Sequence, residues 1–168
     1  MLKNSSIVKL LSLVALIYCD LVFALPDDRK QPIEISADSA QINEQTGIIL
    51  YTGNVVISQG SMQIKASKVE LFRKNDDIDS IIASGSPASF VQQPASNKPI
   101  TTAYGMRMEY KINSQTLTIT DKAKVVQDKD SFSGERIVYQ MDKAIVNAYS
   151  GNGSSGERVQ MIIQPKAK

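Results

Sequence analysis

From Pro32 onward, apolar and polar side chains alternate along the chain with a period of two. Ile33 and Ile35 flank Glu34, and the pairs Ile49/Tyr51, Val55/Ile57, Met62/Ile64 and Leu117/Ile119 repeat the spacing. Such alternation predicts β-strands with one apolar face and one wet face. Turn-forming clusters separate the runs at Glu44-Gln45-Thr46-Gly47, Thr52-Gly53-Asn54, Gln59-Gly60, Arg73-Lys74-Asn75-Asp76, Asn113-Ser114 and Asp128-Lys129-Asp130. No segment keeps a helical period between caps, so no helices are available to cover a parallel sheet. An all-β, antiparallel fold is expected, with residues 25–31 as a loose polar lead-in.

Within this pattern a six-residue phrase recurs: small, any, basic, aliphatic, any, large apolar. It reads Ala66-Ser67-Lys68-Val69-Glu70-Leu71, Gly105-Met106-Arg107-Met108-Glu109-Tyr110, Gly134-Glu135-Arg136-Ile137-Val138-Tyr139 and Gly156-Glu157-Arg158-Val159-Gln160-Met161. A degraded copy is Ala37-Asp38-Ser39-Ala40-Gln41-Ile42. The repeat is longer than the phrase. Residues 53–71 lie without gaps on 121–139, matching Gln59 with Gln127 and Leu71 with Tyr139. Gly85-Ser86-Pro87-Ala88-Ser89-Phe90-Val91-Gln92 supplies a middle copy, followed by a longer insertion at 93–101. A repeated strand phrase with no reactive residue points to a surface built by repetition.

The phrase also changes parity. Its apolar or small positions run 62, 64, 66 and then 69, 71; later they run 132, 134 and then 137, 139. One face of a strand cannot hold both sets without an irregularity, which predicts a β-bulge or sharp bend at Ser67-Lys68 and at Glu135-Arg136. The Ala or Gly that opens each phrase fits a crowded inner face there. Recurrent bends would fold each repeat over and stack the copies into a curved, double-layered trough.

Composition narrows the function. The chain has 168 residues, no histidine, one cysteine and a formal net charge of +2. Lys3 and Lys9, the apolar run 10–17 and Val22-Phe23-Ala24 read as a signal peptide over 1–24, cut after Ala24. Asp20 interrupts the apolar run too early for a spanning helix, which needs ~20 residues. Lipoprotein processing at Cys19 is the rival, and the bulky Tyr18 before it fits that chemistry poorly. The mature domain, 25–168, is then free of cysteine, which excludes disulfides and thiolate metal sites. A charge near zero does not support nucleic-acid binding.

Without histidine, the Ser–His and Cys–His nucleophile pairs and His-based zinc sites are absent. Asp76-Asp77-Ile78-Asp79 lacks the spaced oxygen ligands and the glutamate of a calcium loop, and reads as a solvated hairpin tip. Gly151-Asn152-Gly153-Ser154-Ser155-Gly156 matches the dinucleotide pattern, but a strand follows it and no helix receives a pyrophosphate. No catalytic residue, metal or cofactor is expected. The basic residues Lys68, Arg107, Arg136 and Arg158 permit two readings. Either they form a charged ladder, or each is an outward strand residue paired with Glu70, Glu109, Glu135 or Glu157.

The inner face is the remaining candidate. Ile33, Ile35, Ile57, Ile64, Val69, Leu71, Phe90, Met108, Tyr110, Leu117, Ile119, Val125, Phe132, Ile137 and Tyr139 point inward under this reading. They form an ordinary sandwich core, or, if the trough stays open, an apolar channel for acyl chains. Hydrocarbon burial is worth ~0.8 kcal/mol per methylene.

Together these phrases resemble the OstA-like family of periplasmic lipopolysaccharide-transport bridge proteins. The carrying residues are Pro32-Ile33-Glu34-Ile35-Ser36-Ala37-Asp38-Ser39, Tyr51-Thr52-Gly53-Asn54-Val55-Val56-Ile57-Ser58-Gln59-Gly60, Gly85-Ser86-Pro87-Ala88-Ser89-Phe90 and Gly134-Glu135-Arg136-Ile137-Val138-Tyr139. The likeness spans 31–159. It implies an open, twisted antiparallel β-jelly roll holding lipid A acyl chains, and a head-to-tail filament. By that resemblance Ile33, Glu34, Ile35, Ser36 and Ala37 form an N-terminal edge that meets an inner-membrane-anchored jelly-roll partner. Val159, Gln160, Met161, Ile162 and Ile163 form a C-terminal edge that meets the outer-membrane translocon. The insertion at 93–101 departs from the family pattern.

Three other readings compete: the membrane-anchored partner itself, a polysaccharide-modifying enzyme on a β-solenoid, and a structural filament or adhesin subunit without lipid transport. The first is separated by the leader. Intact-mass spectrometry of the exported protein is expected to show an N-terminus at Leu25; a retained leader would favour the anchored partner.

Overall fold

The computed structural model describes residues 28–75, 77–93, 98–151 and 158–165. A 3-10 turn at Asp28–Lys30 precedes ten strands: β1 (Glu34–Ser36), β2 (Ser39–Asn43), β3 (Ile48–Gln59), β4 (Met62–Lys74), β5 (Asp77–Gln92), β6 (Thr101–Lys111), β7 (Thr116–Gln127), β8 (Asp130–Gln140), β9 (Ile145–Tyr149) and β10 (Gln160–Ile162). They form one sheet in the order β1-β3-β4-β5-β6-β7-β8-β10, with β2 also paired to β3 and β9 to β8. Every pairing is antiparallel.

Each long strand crosses one line of irregularity. Pairing breaks between Thr52 and Val55 on β3, Lys65 and Lys68 on β4, Ser84 and Ala88 on β5, Tyr104 and Arg107 on β6, and Thr120 and Ala123 on β7. Before this line one half of the sheet turns its apolar residues inward. Beyond it, the other half does the same with shifted parity. On β4, Met62 and Ile64 are buried on one side and Val69 and Leu71 on the other, while Ser67 and Lys68 are exposed. The halves then face each other. Phe90 of the first layer packs on Tyr110 of the second with ring centroids 5.9 Å apart, although the two residues are not sheet partners.

The predicted bends therefore stand, one residue tighter than expected. Ser67 and Glu135 are the residues the strand register skips; Lys68 and Arg136 are already back in register, opposite Thr52 and Thr120. In both pairs the extra residue sits on the partner strand, where Gly53-Asn54 opposes Ser67 and Asp121-Lys122 opposes Glu135. All four of those partner residues have positive φ (77°, 45°, 61° and 59°). The repeat read in sequence is thus repeated in backbone conformation. The expected turn at Thr52-Gly53-Asn54 is accordingly not a chain reversal. It is the corner inside β3.

Small residues line the inside of the corner. A Cβ on Gly105 would collide with Ile119 Cγ2 and lie 3.2 Å from the Thr120 carbonyl oxygen. One on Gly134 would stand 2.8 Å from the Tyr149 carbonyl oxygen. At the N-terminal edge the corner falls between β1 and β2, where Asn54 Nδ2 donates to Asp38 Oδ2 at 2.9 Å. Nor is the lead-in loose at its inner end: Ser61 N and Oγ both donate to the Asp28 carboxylate at 2.7 Å.

Because the corner is packed, enlarging it should cost stability. Gly105→Ala is expected to lose about 1–3 kcal/mol through overpacking, read as a lower urea midpoint with an unchanged slope.

Candidate functional site

The space between the layers holds most of the apolar residues read as groove positions. Ile57, Ile64, Leu71, Phe90, Met108, Tyr110, Leu117, Ile119, Ile137 and Tyr139 are all buried in a single core cluster, none more than 4% exposed. Ile33, Ile35 and Phe132 pack against that cluster and stay partly open. The middle of the trough is filled by the protein's own side chains, and its accessible apolar surface lies at the ends. Sequence reading passed over Ile81 and Ala83, both 1% exposed. Their alternation is masked by an extra residue, Asp79, at a register shift opposite Phe72 and Arg73.

At both ends the inward face continues into solvent. Ile42 of β2 is the partner of Ile49, and Ile49 of Leu71, so Ile42 points to the interior side; it is 62% exposed. A cavity of about 360 Å³ lies beside it, bounded by Ile42, Asn43, Glu44, Gly47, Ile49, Arg73 and Asn75. At the other end Met161 pairs with Phe132 and Phe132 with buried Val125, so Met161 faces the same interior; it is 55% exposed. Val159, Ile162 and Ile163 beside it are exposed as well. The two edges expected from the sequence thus exist as unpaired strand edges among the described residues. Glu34, Ile35 and Ser36 form β1, while Ile33 and Ala37 flank it; Gln160, Met161 and Ile162 form β10, flanked by Val159 and Ile163. Strands not singled out in sequence, β2 and β9, complete these edges in the second layer.

The side of the fold opposite the corner is a mouth between two rows of hairpin turns. Gln59, Gln92 and Gln127 end the first-layer strands in phase with buried Ile57, Phe90 and Val125, so their side chains aim inward. Gln59 and Thr101 are the buried polar residues among those described. Gln59 Nε2 donates to the Gln31 carbonyl at 3.1 Å, Gln92 Nε2 to Asp28 Oδ2 at 2.8 Å, and Gln127 Nε2 to Thr101 Oγ1 at 3.2 Å. The insertion after Gln92 is tied to the same place, with Gln93 N donating to Ser61 Oγ at 3.2 Å.

The basic residues of the phrase form a row on the outer face beside the corner. Thr52, Lys68, Ser84, Arg107, Thr120, Arg136 and Tyr149 are successive partners across the second layer. Lys68 Nζ lies 3.2 Å from Glu70, and the Arg136 guanidinium sits 4.2 Å over the Tyr149 ring. Glu109 pairs with Lys111 at 3.7 Å instead of with Arg107. Arg158 precedes β10 and stands outside the row; Glu157 and the glycine-rich residues 152–156 lie outside the described residues. Exposed pairs of this kind contribute at most about 1 kcal/mol.

Residues 34–145 match the family described as LptA/(LptD N-terminal domain) LPS transport protein. The chain belongs to this family. It is 40% identical over 161 residues to the lipopolysaccharide export system protein LptH of Pseudomonas aeruginosa, covering 93% of this chain and 92% of that protein. It is 35% identical over 146 residues to the lipopolysaccharide export system protein LptA of Haemophilus influenzae, covering 85% and 83%. Its fold matches the crystal structure of LptH, described as the LptA homologous periplasmic component of the conserved lipopolysaccharide transport device of Pseudomonas aeruginosa. The TM-score is 0.77 at 38% identity, over 83% of this chain and 100% of that one. The expected open antiparallel jelly roll is therefore the family fold.

Core and end residues should separate on mutation. Phe90→Ala is expected to cost about 3–5 kcal/mol. Phe132→Ala, at a partly open position, should cost under about half as much; thermal melts of both variants check this.

Proposed function

We propose that this protein is a non-catalytic periplasmic carrier that passes lipopolysaccharide from an inner-membrane export complex toward the outer membrane. One observation carries the proposal: the apolar interior is not sealed at its ends, where inward-facing Ile42 and Met161 stand in solvent. The family membership and the names of LptH and LptA support it. In this reading lipid A acyl chains lie against the inward face lined by Ile33, Ile35 and Phe132, and the layers part to admit them further. An acyl chain burying about a dozen methylenes gains on the order of 10 kcal/mol. The sugars stay in water. The leader over 1–24 delivers the chain to the periplasm and is removed.

Copies joined head to tail would lengthen such a carrier into a bridge, and the sheet favours that. The strand order holds β1-β3-β4-β5-β6-β7-β8-β10, with each neighbour antiparallel, so the first and last positions run in opposite directions. The last edge of one copy laid beside the first edge of the next continues an antiparallel sheet, and open edges invite such pairing. The interior faces then join end to end. As the family resemblance implies, the β1/β2 edge in this reading receives the anchored inner-membrane jelly-roll partner, and the β9/β10 edge meets the outer-membrane translocon.

With a photo-crosslinking residue at Ile35 or Phe132, acyl-labelled lipopolysaccharide is expected to form adducts at both positions. Absence of adducts at both, beside a lipid-binding positive control, would overturn the carrier reading.

A further inference from the structure

At the mouth, a segment that belongs to neither layer meets the ends of the first-layer strands. Residues 28–31 run along the mouth's first-layer rim, against inward-aimed Gln59 and Gln92. Asp28 accepts from Ser61 N and Oγ on the β3–β4 turn and from Gln92 Nε2 at the end of β5. The Gln31 carbonyl accepts from Gln59 Nε2 at the end of β3. The segment therefore ties two strand ends and the β3–β4 turn together. It leaves so little room that a Cβ on Gly60 would collide with the Asp28 carboxylate.

Two features set this strap apart from an ordinary surface turn. The glutamines it occupies recur in the internal repeat at Gln59, Gln92 and Gln127, but only the first two meet the strap; Gln127 bonds to Thr101 instead. Both occupied amides are donors satisfied by strap oxygens. A buried donor that loses its acceptor carries the full desolvation cost. A ligand that lifts the strap therefore gains by presenting oxygen acceptors to these amides in its place. An acylated saccharide does so at its neck, where ester and amide carbonyls and hydroxyls join hydrocarbon to sugar. Strand-end hydrogen bonds near solvent are also the kind that open locally at low cost.

We propose that residues 28–31 are a latch over the lateral mouth, displaced on loading, and that the freed Gln59 and Gln92 amides then hold the acyl–sugar neck of the ligand. This rests on the carrier reading above. The latch occupies the mouth in the empty protein and gives the amide row an occupant until lipid replaces it; the two ends stay open. Asp28 and Gln31 are the intramolecular stand-ins for the ligand's oxygens.

A disulfide tests this. In a Cys19→Ser background, Asp28→Cys with Ser61→Cys places two thiols where the carboxylate and hydroxyl now touch. Oxidation should slow the uptake of photo-labelled lipopolysaccharide at least fivefold, and reduction should restore it. Asp28→Ala, which needs no crosslink, should load at least as fast as the unsubstituted protein. Gln92→Leu should release bound lipid severalfold faster. Uptake by the oxidised protein within twofold of the reduced form would overturn the latch, as would slower loading by a folded Asp28→Ala protein. Unchanged release from Gln92→Leu would overturn the role of the amides. If the unsubstituted protein takes up no lipopolysaccharide, the carrier reading falls and the latch with it; uptake with an indifferent lock removes the latch alone.

Discussion

The corner line is the constraint on which the rest of this structure depends. A pleated sheet presents alternate residues to opposite faces, so a sheet folded onto itself must re-aim its side chains wherever it bends. Every long strand here does so at the same level. The rising strands use left-handed pairs, Gly53-Asn54 and Asp121-Lys122, or the longer Gly85-Ser86-Pro87. Descending strands use a single residue skipped by the register after a small one. Because the irregularities are aligned, the bend is a crease across the whole sheet, and the two halves meet face to face around Phe90 and Tyr110.

The same crease explains why the fold has ends and a mouth. A barrel would remove its edges by closure. A creased sheet cannot, since only one long side is sealed by the bend. What remains is a row of hairpin turns on the other side and an unpaired strand at each end. Each end strand is itself split at the crease, into β1 and β2 at the start and β9 and β10 at the finish. The exposed apolar residues Ile42, Met161, Ile162 and Ile163 fall at those ends. A monomer tolerates such surface poorly unless it is used, and the polarity of the end strands suits use by pairing. Function in this reading follows from what the crease leaves unfinished.

Polar groups mark where closure is partial. Among the described residues the core is free of charge, yet Gln59 and Thr101 are buried at the first-layer rim, each with a hydrogen-bond partner. The outer row of Lys68, Arg107 and Arg136 lies on the sealed side, away from the mouth, and its members lean on Glu70 or Tyr149 where they have neighbours. The repeat that spaces these cations also spaces the inward glutamines. One periodic sequence therefore decorates the two sides of the crease differently.

Much of this was legible in the chain itself. Period-two alternation without helical stripes determined an antiparallel all-β fold, and the parity change at Ala66/Val69 and Gly134/Ile137 located the crease to within a residue. Those are local properties, written in consecutive side chains. Burial of the groove positions was not legible, because whether Phe90 or Leu117 meets lipid or another side chain depends on how closely two distant halves approach. Nor was the role of Asp28, whose partners Ser61 and Gln92 are far away in sequence. The turn expected at Gly53-Asn54 fared likewise: left-handed residues mark a reversal or a corner equally well, and only the neighbouring strands decide which. Sequence determined what each strand would do with its own faces; tertiary structure decided which faces met, since that is settled by packing between residues the chain keeps apart.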